Sequence, residues 1–93
     1  MTTDSPLTNP PTFSLILDYP VAGDVLRLVI ATDAGFTSIT QTKTVTLTDL
    51  MIADGEAAFG VTTLAANTYY AHVRHERGSD VSAYSTAVTF TEA

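Results

Sequence analysis

The chain has 93 residues with 45% hydrophobic and 15% charged content, enough for one globular core and too little for two. Four Lys+Arg against ten Asp+Glu leave a formal net charge of -6, which excludes the basic face that a nucleic-acid binder needs. With no cysteine, disulfides, thiolate metal sites and a cysteine nucleophile are ruled out. The apolar runs fall far short of a membrane span, and the start Met1-Thr2-Thr3-Asp4 has neither the basic nor the apolar region of a secretion signal.

Residues 1–12, MTTDSPLTNPPT, place Pro6, Pro10 and Pro11 among polar residues, which predicts an extended Pro-rich arm or an irregular edge strand. The domain itself is expected over 13–93. Phe13, Leu15 and Leu17 alternate with Ser14, Ile16 and Asp18 as a half-buried strand, ended by Asp18-Tyr19-Pro20 and Ala22-Gly23-Asp24. In Val25 to Thr32, Leu26, Leu28 and Ile30 share a face, while Arg27 points to solvent. Asp33-Ala34-Gly35 supplies a turn, with Phe36 and Ile39 expected to pack back beneath it.

Thr40 to Thr48 carries Thr at every even position, and its β-branched side chains favour a strand with Val45 and Leu47 inward. Asp49 to Ala53 is either loop or a short helical turn, and Asp54-Gly55-Glu56 a turn. Ala57 to Leu64 reads as a further strand on the alternation of Phe59, Val61 and Thr63. Tyr69 to Glu76 is the clearest strand: Tyr69, Ala71 and Val73 face one way, Tyr70, His72 and Arg74 the other. Arg77 to Asp80 makes a hairpin loop, and Val81 to Thr91 a last strand with Val88 and Phe90 inward. About seven short strands without an amphipathic helix predict an all-β fold, a small antiparallel β-sandwich.

The stretch Leu64-Ala-Ala-Asn-Thr-Tyr-Tyr-Ala-His-Val-Arg-His-Glu76 resembles the E–F corner and F strand of a fibronectin type III domain. Gly78-Ser-Asp-Val-Ser-Ala-Tyr-Ser85 with Val88 and Phe90 resembles the following loop and G strand. Leu26-Arg-Leu-Val-Ile-Ala-Thr-Asp-Ala-Gly-Phe36 resembles strand C of bacterial and phage members, so the likeness spans roughly residues 12 to 91. It implies an immunoglobulin-like sandwich with a structural corner of Leu64, Thr68 and Tyr69. There the Tyr69 hydroxyl bonds back to upstream backbone, and Tyr70 is the competing tyrosine. The family's usual strand B Trp is absent, so Phe13 or Leu15 must fill its volume. Arg77-Gly78-Ser79-Asp80 is not the adhesion triplet of that family.

Candidate sites divide by strand parity. His72 and His75 lie near Glu76 and Asp80, but three residues apart on a strand they face opposite ways and cannot chelate one ion. Ser82, His75 and Asp80 could be imagined as a triad, yet no nucleophile elbow or oxyanion-hole pattern accompanies them. Asp54 and Glu56 are too few ligands for a calcium loop. No cofactor and no catalytic residue are expected. The threonine row is read as a solvated strand face rather than an ice- or polysaccharide-binding array.

The interaction face is placed on Arg27, Tyr70, His72 and Arg74, with Arg77 expected on the same side, since Tyr and Arg are enriched at interface hot spots. Pro6, Pro10 and Pro11 form a candidate anchoring arm. The Leu-Ala-Ala-Asn-Thr-Tyr-Tyr and Ala-Thr-Asp-Ala-Gly-Phe segments also resemble phage head and tail accessory domains. That resemblance implies a non-enzymatic virion surface protein, assembled in the host cytoplasm in many copies on a major capsid or tail protein, without membrane insertion. The alternative it implies is a carbohydrate-binding or spacer module of a secreted glycoside hydrolase, contacting a cell-surface glycan.

Overall fold

A computed structural model describes residues 2–3, 13–16 and 20–92. Pro6, Pro10 and Pro11, and the expected turn at Asp18 and Tyr19, lie outside the described residues. The elements are β1 (Thr2–Thr3), β2 (Phe13–Ile16), β3 (Val25–Ala31), β4 (Ile39–Thr46), α1 (Asp49–Asp54), β5 (Glu56–Ala58), β6 (Asn67–Arg77), β7 (Asp80–Val81) and β8 (Val88–Glu92). The chain is mostly β and every strand pairing is antiparallel. One sheet has the order β1-β2-β5; the other runs β4-β3-β6-β7, with β8 also on β6. Thr2 and Thr3 pair with Ser14 and Phe13, so this end of the expected arm is a sheet edge.

Period-two patterning explains β3 and β6. Leu26, Leu28 and Ile30 are buried on one face of β3, and Tyr69, Ala71 and Val73 continue that face across β6. They form one core with Phe13, Leu47, Phe59, Val61, Leu64 and Phe90. Phe13 is 1% exposed and meets Phe90 edge to face, with ring centroids 5.4 Å apart. Phe13 and Tyr69 thereby share Phe90 as a neighbour, the Tyr69 ring stacking on it at 5.6 Å.

One open alternative is decided and three expectations are corrected. Residues 49–54 form the helix α1, started by the Thr48 hydroxyl accepting from Met51 N and stopped by Gly55 at φ 80, whose N–H reaches the Met51 and Ile52 carbonyls. Six residues cannot hold a helix alone; these caps and the packing of Met51 and Ile52 on the core supply the difference. The strand expected over 57–64 stops at Ala58. Phe59 and Val61 are buried as the alternation predicts, but Thr63 is exposed and Leu64 buried, because an irregular segment outside any ladder does not keep a strand's parity.

The last strand is also interrupted. Ser82 Oγ and Ser85 Oγ accept the N–H groups of His75 and Val73, while the Ser82 and Ser85 N–H groups donate to the carbonyls of those same residues. Side-chain oxygens thus take ladder positions, and the register slips twice before Val88 pairs with Ala71. Finally, Phe36 and Ile39 do not pack beneath the turn. The β3–β4 register shifts at Ile30/Ala31, which leaves Ile39 opposite Ala31 at the sheet end and 55% exposed.

Candidate functional site

The face of the five-stranded sheet turned away from the core carries Arg27, Val29 and Ala31 from β3 and Tyr70, His72, Arg74 and Glu76 from β6. Registration sets them side by side: Ala31 with Tyr70, Val29 with His72, Arg27 with Arg74 and Val25 with Glu76. Four expected residues, Arg27, Tyr70, His72 and Arg74, are therefore on one surface, all half-buried.

Two residues outside that expected set complete it. The Phe36 ring stacks on His72 at 3.6 Å and 7°, and Tyr84 covers the other side of the imidazole at 3.8 Å and 12°. The Arg74 guanidinium lies over the Tyr84 ring, 5.0 Å from its centroid. Burial between rings pushes the His72 pKa below its ordinary value, so the imidazole is neutral at pH 7.

Phe36 reaches this place at a backbone cost. Its φ of 56 is in the left-handed region, where a bulky residue is strained by about 1 kcal/mol or more. The loop is held there by Asp33, whose carboxylate accepts from Ser38 N at 2.8 Å and from the Thr37 N–H and hydroxyl. These bonds, Ser38 foremost, keep the Asp33 pKa low. Tyr84 arrives through the slipped register after Ser82. Neither position follows strand parity, so periodicity could not find them; the aspartate-led turn before Phe36 was the one local signal.

The charges on this face are locked. Glu76 Oε2 accepts from Arg27 Nε and from Arg74 Nε, each at 2.7 Å, and Arg27 Nη2 lies 3.3 Å from Oε1. Arg27, and then Arg74, hold the Glu76 carboxyl down to about 2. Arg77 is not on this face, contrary to expectation. Its parity is that of His75, and both reach Asp24, which is 2% exposed. Arg77 Nε and Nη2 meet the two Asp24 oxygens at 2.9 and 2.7 Å, and His75 Nε2 is 2.6 Å from Oδ2. Val21 N donates to the same Oδ2.

Parity thus separates His72 from His75, as strand geometry requires. Ser82 Oγ is bonded to backbone and His75 points to Asp24, so Ser82, His75 and Asp80 are not brought together as a triad. Among the described residues no group of three or more His, Asp or Glu could hold a metal ion, and no helix is long and apolar enough to cross a membrane.

At the corner, Tyr69 is 3% exposed and its hydroxyl donates to the Ala65 carbonyl at 2.6 Å, while Tyr70 faces outward. Leu64 is in the core, and Thr68 is exposed with its hydroxyl 3.3 Å from that of Thr91. Removing the hydroxyl in Tyr69→Phe is expected to cost about 1–2 kcal/mol, read as a lower urea midpoint with unchanged slope. Tyr70→Phe serves as the comparison and should leave the midpoint in place.

No family model, curated protein or solved structure matches the chain.

Proposed function

We propose that this chain is a non-enzymatic structural protein, a fibronectin type III-like sandwich that decorates the surface of a phage particle. In this reading it docks on a major capsid or tail protein through the outward face of β3 and β6. The observation that carries the reading is the pre-ordered strip Phe36–His72–Tyr84–Arg74, flanked by Tyr70 and Arg27. An interface gains from side chains whose rotamers are already fixed, because less entropy is lost on docking. Tyr and Arg are the residue types that supply hot-spot energy.

The groups that could have done chemistry are instead engaged structurally. Asp24 is tied to Arg77, His75 and Val21, and Glu76 to two arginines. The net charge of -6 keeps crowded copies soluble and apart. A saccharide-binding role is less well supported by the same strip. Sugars stack on exposed ring faces, and here His72 has both faces covered while Phe36 and Tyr84 each turn one face inward to it.

The test is co-sedimentation of the native protein with particles from its source lysate, repeated with Tyr70→Ala and Arg74→Ala together. We expect migration with a megadalton particle, and occupancy lowered at least tenfold in the double variant with its far-UV spectrum unchanged. Migration as a free small protein, or full occupancy by the folded double variant, overturns the reading.

A further inference from the structure

The five-stranded sheet ends at β4, and among the described residues no strand pairs with its outer edge. That edge is eight residues long, Ile39–Thr46. Its backbone polarity can be read from its last contacts with the β3 side. Leu47 N donates to Asp24 O and Leu47 O accepts from Gly23 N, so Leu47 turns both groups inward. In an antiparallel ladder this alternates. Gln41, Lys43 and Val45 therefore bond toward β3, and Thr42, Thr44 and Thr46 direct N–H and C=O outward.

Such an edge templates another strand unless something blocks it. The Gln41 side-chain amide, on the core-side face of β4, is bonded to Thr62 N–H and C=O, and the usual blocks are otherwise sparse here. There is no proline between Val21 and Ala93, the single register shift lies at the Ile30/Ala31 end, and the strand carries one charge, Lys43. From Ala34 to Thr48 there is no acidic residue, although the chain as a whole has net charge -6. Two copies that meet along this strip bring none of its own carboxylates together, so the repulsion set by the net charge is least felt there.

We propose that β4 is a self-pairing edge, at which a second copy of this chain adds its own β4 antiparallel about a two-fold axis through Thr42. Outward-directed groups must face one another, which restricts the axis to a threonine or to the midpoint between two of them. An axis midway between Thr42 and Thr44 sets Lys43 against its own copy, and like charges directly opposite are unfavourable. An axis on Thr44 is free of repulsion but sets Lys43 against apolar Val45, which offers the ammonium no acceptor. With Thr42 on the axis, Lys43 faces Gln41, and both flanking pairs are free of repulsion. The pair extends the sheet across both copies, and each outward β3/β6 face stays open on the same side of it.

The experiment is sedimentation velocity of the full chain over a concentration series reaching millimolar. The expected result is a reversible dimer. Thr42 is exposed, so Thr42→Lys and Thr42→Glu leave the fold intact, and each places like charges across the axis. Each variant alone should be monomeric, with the dimer constant weakened at least tenfold. An equimolar mixture of the two should recover a one-to-one dimer. Thr42→Pro removes only an outward N–H and should also be monomeric, with thermal unfolding confirming that it is folded. A wild-type chain that stays monomeric at millimolar concentration overturns the proposal. So does a dimer that persists in the single charge variants, or a mixture that fails to pair. Particle attachment is read separately through Tyr70 and Arg74, so failure of either reading is recognisable on its own.

Discussion

Phe13→Ala is expected to lower unfolding stability by about 3–5 kcal/mol, a large part of the roughly 5–15 kcal/mol a domain of this size possesses. Phe13 is the described side chain through which β2 enters the core, and it is 1% exposed in a T-shaped contact with the Phe90 ring. Its loss removes an aromatic contact between the β1-β2-β5 sheet and the five-stranded one. It also leaves a cavity bordered by Phe90, whose other neighbour is Tyr69. Urea denaturation followed by tyrosine fluorescence reads the effect as a fall in midpoint. A loss below about 1 kcal/mol would mean that the site collapses around the smaller side chain and that the two sheets are held chiefly elsewhere. Phe13→Leu, which restores most of the volume, should recover more than half of the loss.

Acid should unfold the protein through carboxylates that the fold holds low, Glu76 and Asp24 foremost and Asp33 with them. Glu76 is held at about 2 against an ordinary 4.5 by hydrogen bonds from Arg27 and then Arg74. Asp24 is held lower still, chiefly by Arg77 and with His75 and Val21 adding to it, against an ordinary 3.8. Both folded values lie below the unfolded ones, so folding favours the charged forms. The stabilisation is therefore complete above about 4.5 and is lost as pH falls through the folded values. Glu76 gives up its share by about pH 2, and Asp24 continues to lose its share below that. Stability measured from pH 7 to pH 2 should decline gently below about 6.5, where His72 is protonated more readily in the unfolded chain, and then fall steeply below about 4.5. Asp24→Asn should be less stable at neutral pH and show a shallower acid limb, since the titrating group is gone. A variant curve parallel to wild type through the acid range would assign the acid sensitivity to other carboxylates.

How far the sequence could be read followed from what each signal reports. Leu26, Leu28 and Ile30 against Arg27, and Tyr69, Ala71 and Val73 against Tyr70, His72 and Arg74, repeat every second residue across two long central strands. There alternation and pairing coincide, so the elements, their faces and the corner tyrosine were all legible. At Phe59 and Val61 the same alternation came from a segment that joins no ladder, and there it broke, with Thr63 exposed and Leu64 buried. Between Ser82 and Val88 two hydroxyls competed with backbone for β6, and a hydroxyl that replaces a carbonyl leaves no mark in hydropathy. The half of the candidate site built from strand residues was visible in advance. The half built from Phe36 and Tyr84 was not, because a left-handed loop residue and a slipped register set their positions. Net charge was equally silent on partition: four basic residues divide between two faces, and only the registry of β6 with β3 tells which carboxylate each arginine meets.

The central strand β3 has one neighbour, β4, joined to it by a short loop, and another, β6, that follows only after β4, α1 and β5. A chain emerging from the ribosome therefore completes the first hairpin while the far side of β3 still waits for its partner. Synthesis proceeds at about 5–20 residues per second, so that wait is on the order of seconds, long compared with the microseconds a hairpin needs to close. During that interval Leu26, Leu28 and Ile30 have no β6 against which to bury. The nascent molecule must be protected by its tether and its surroundings until Asn67–Arg77 arrives, and Phe90 of β8 completes the core only after that.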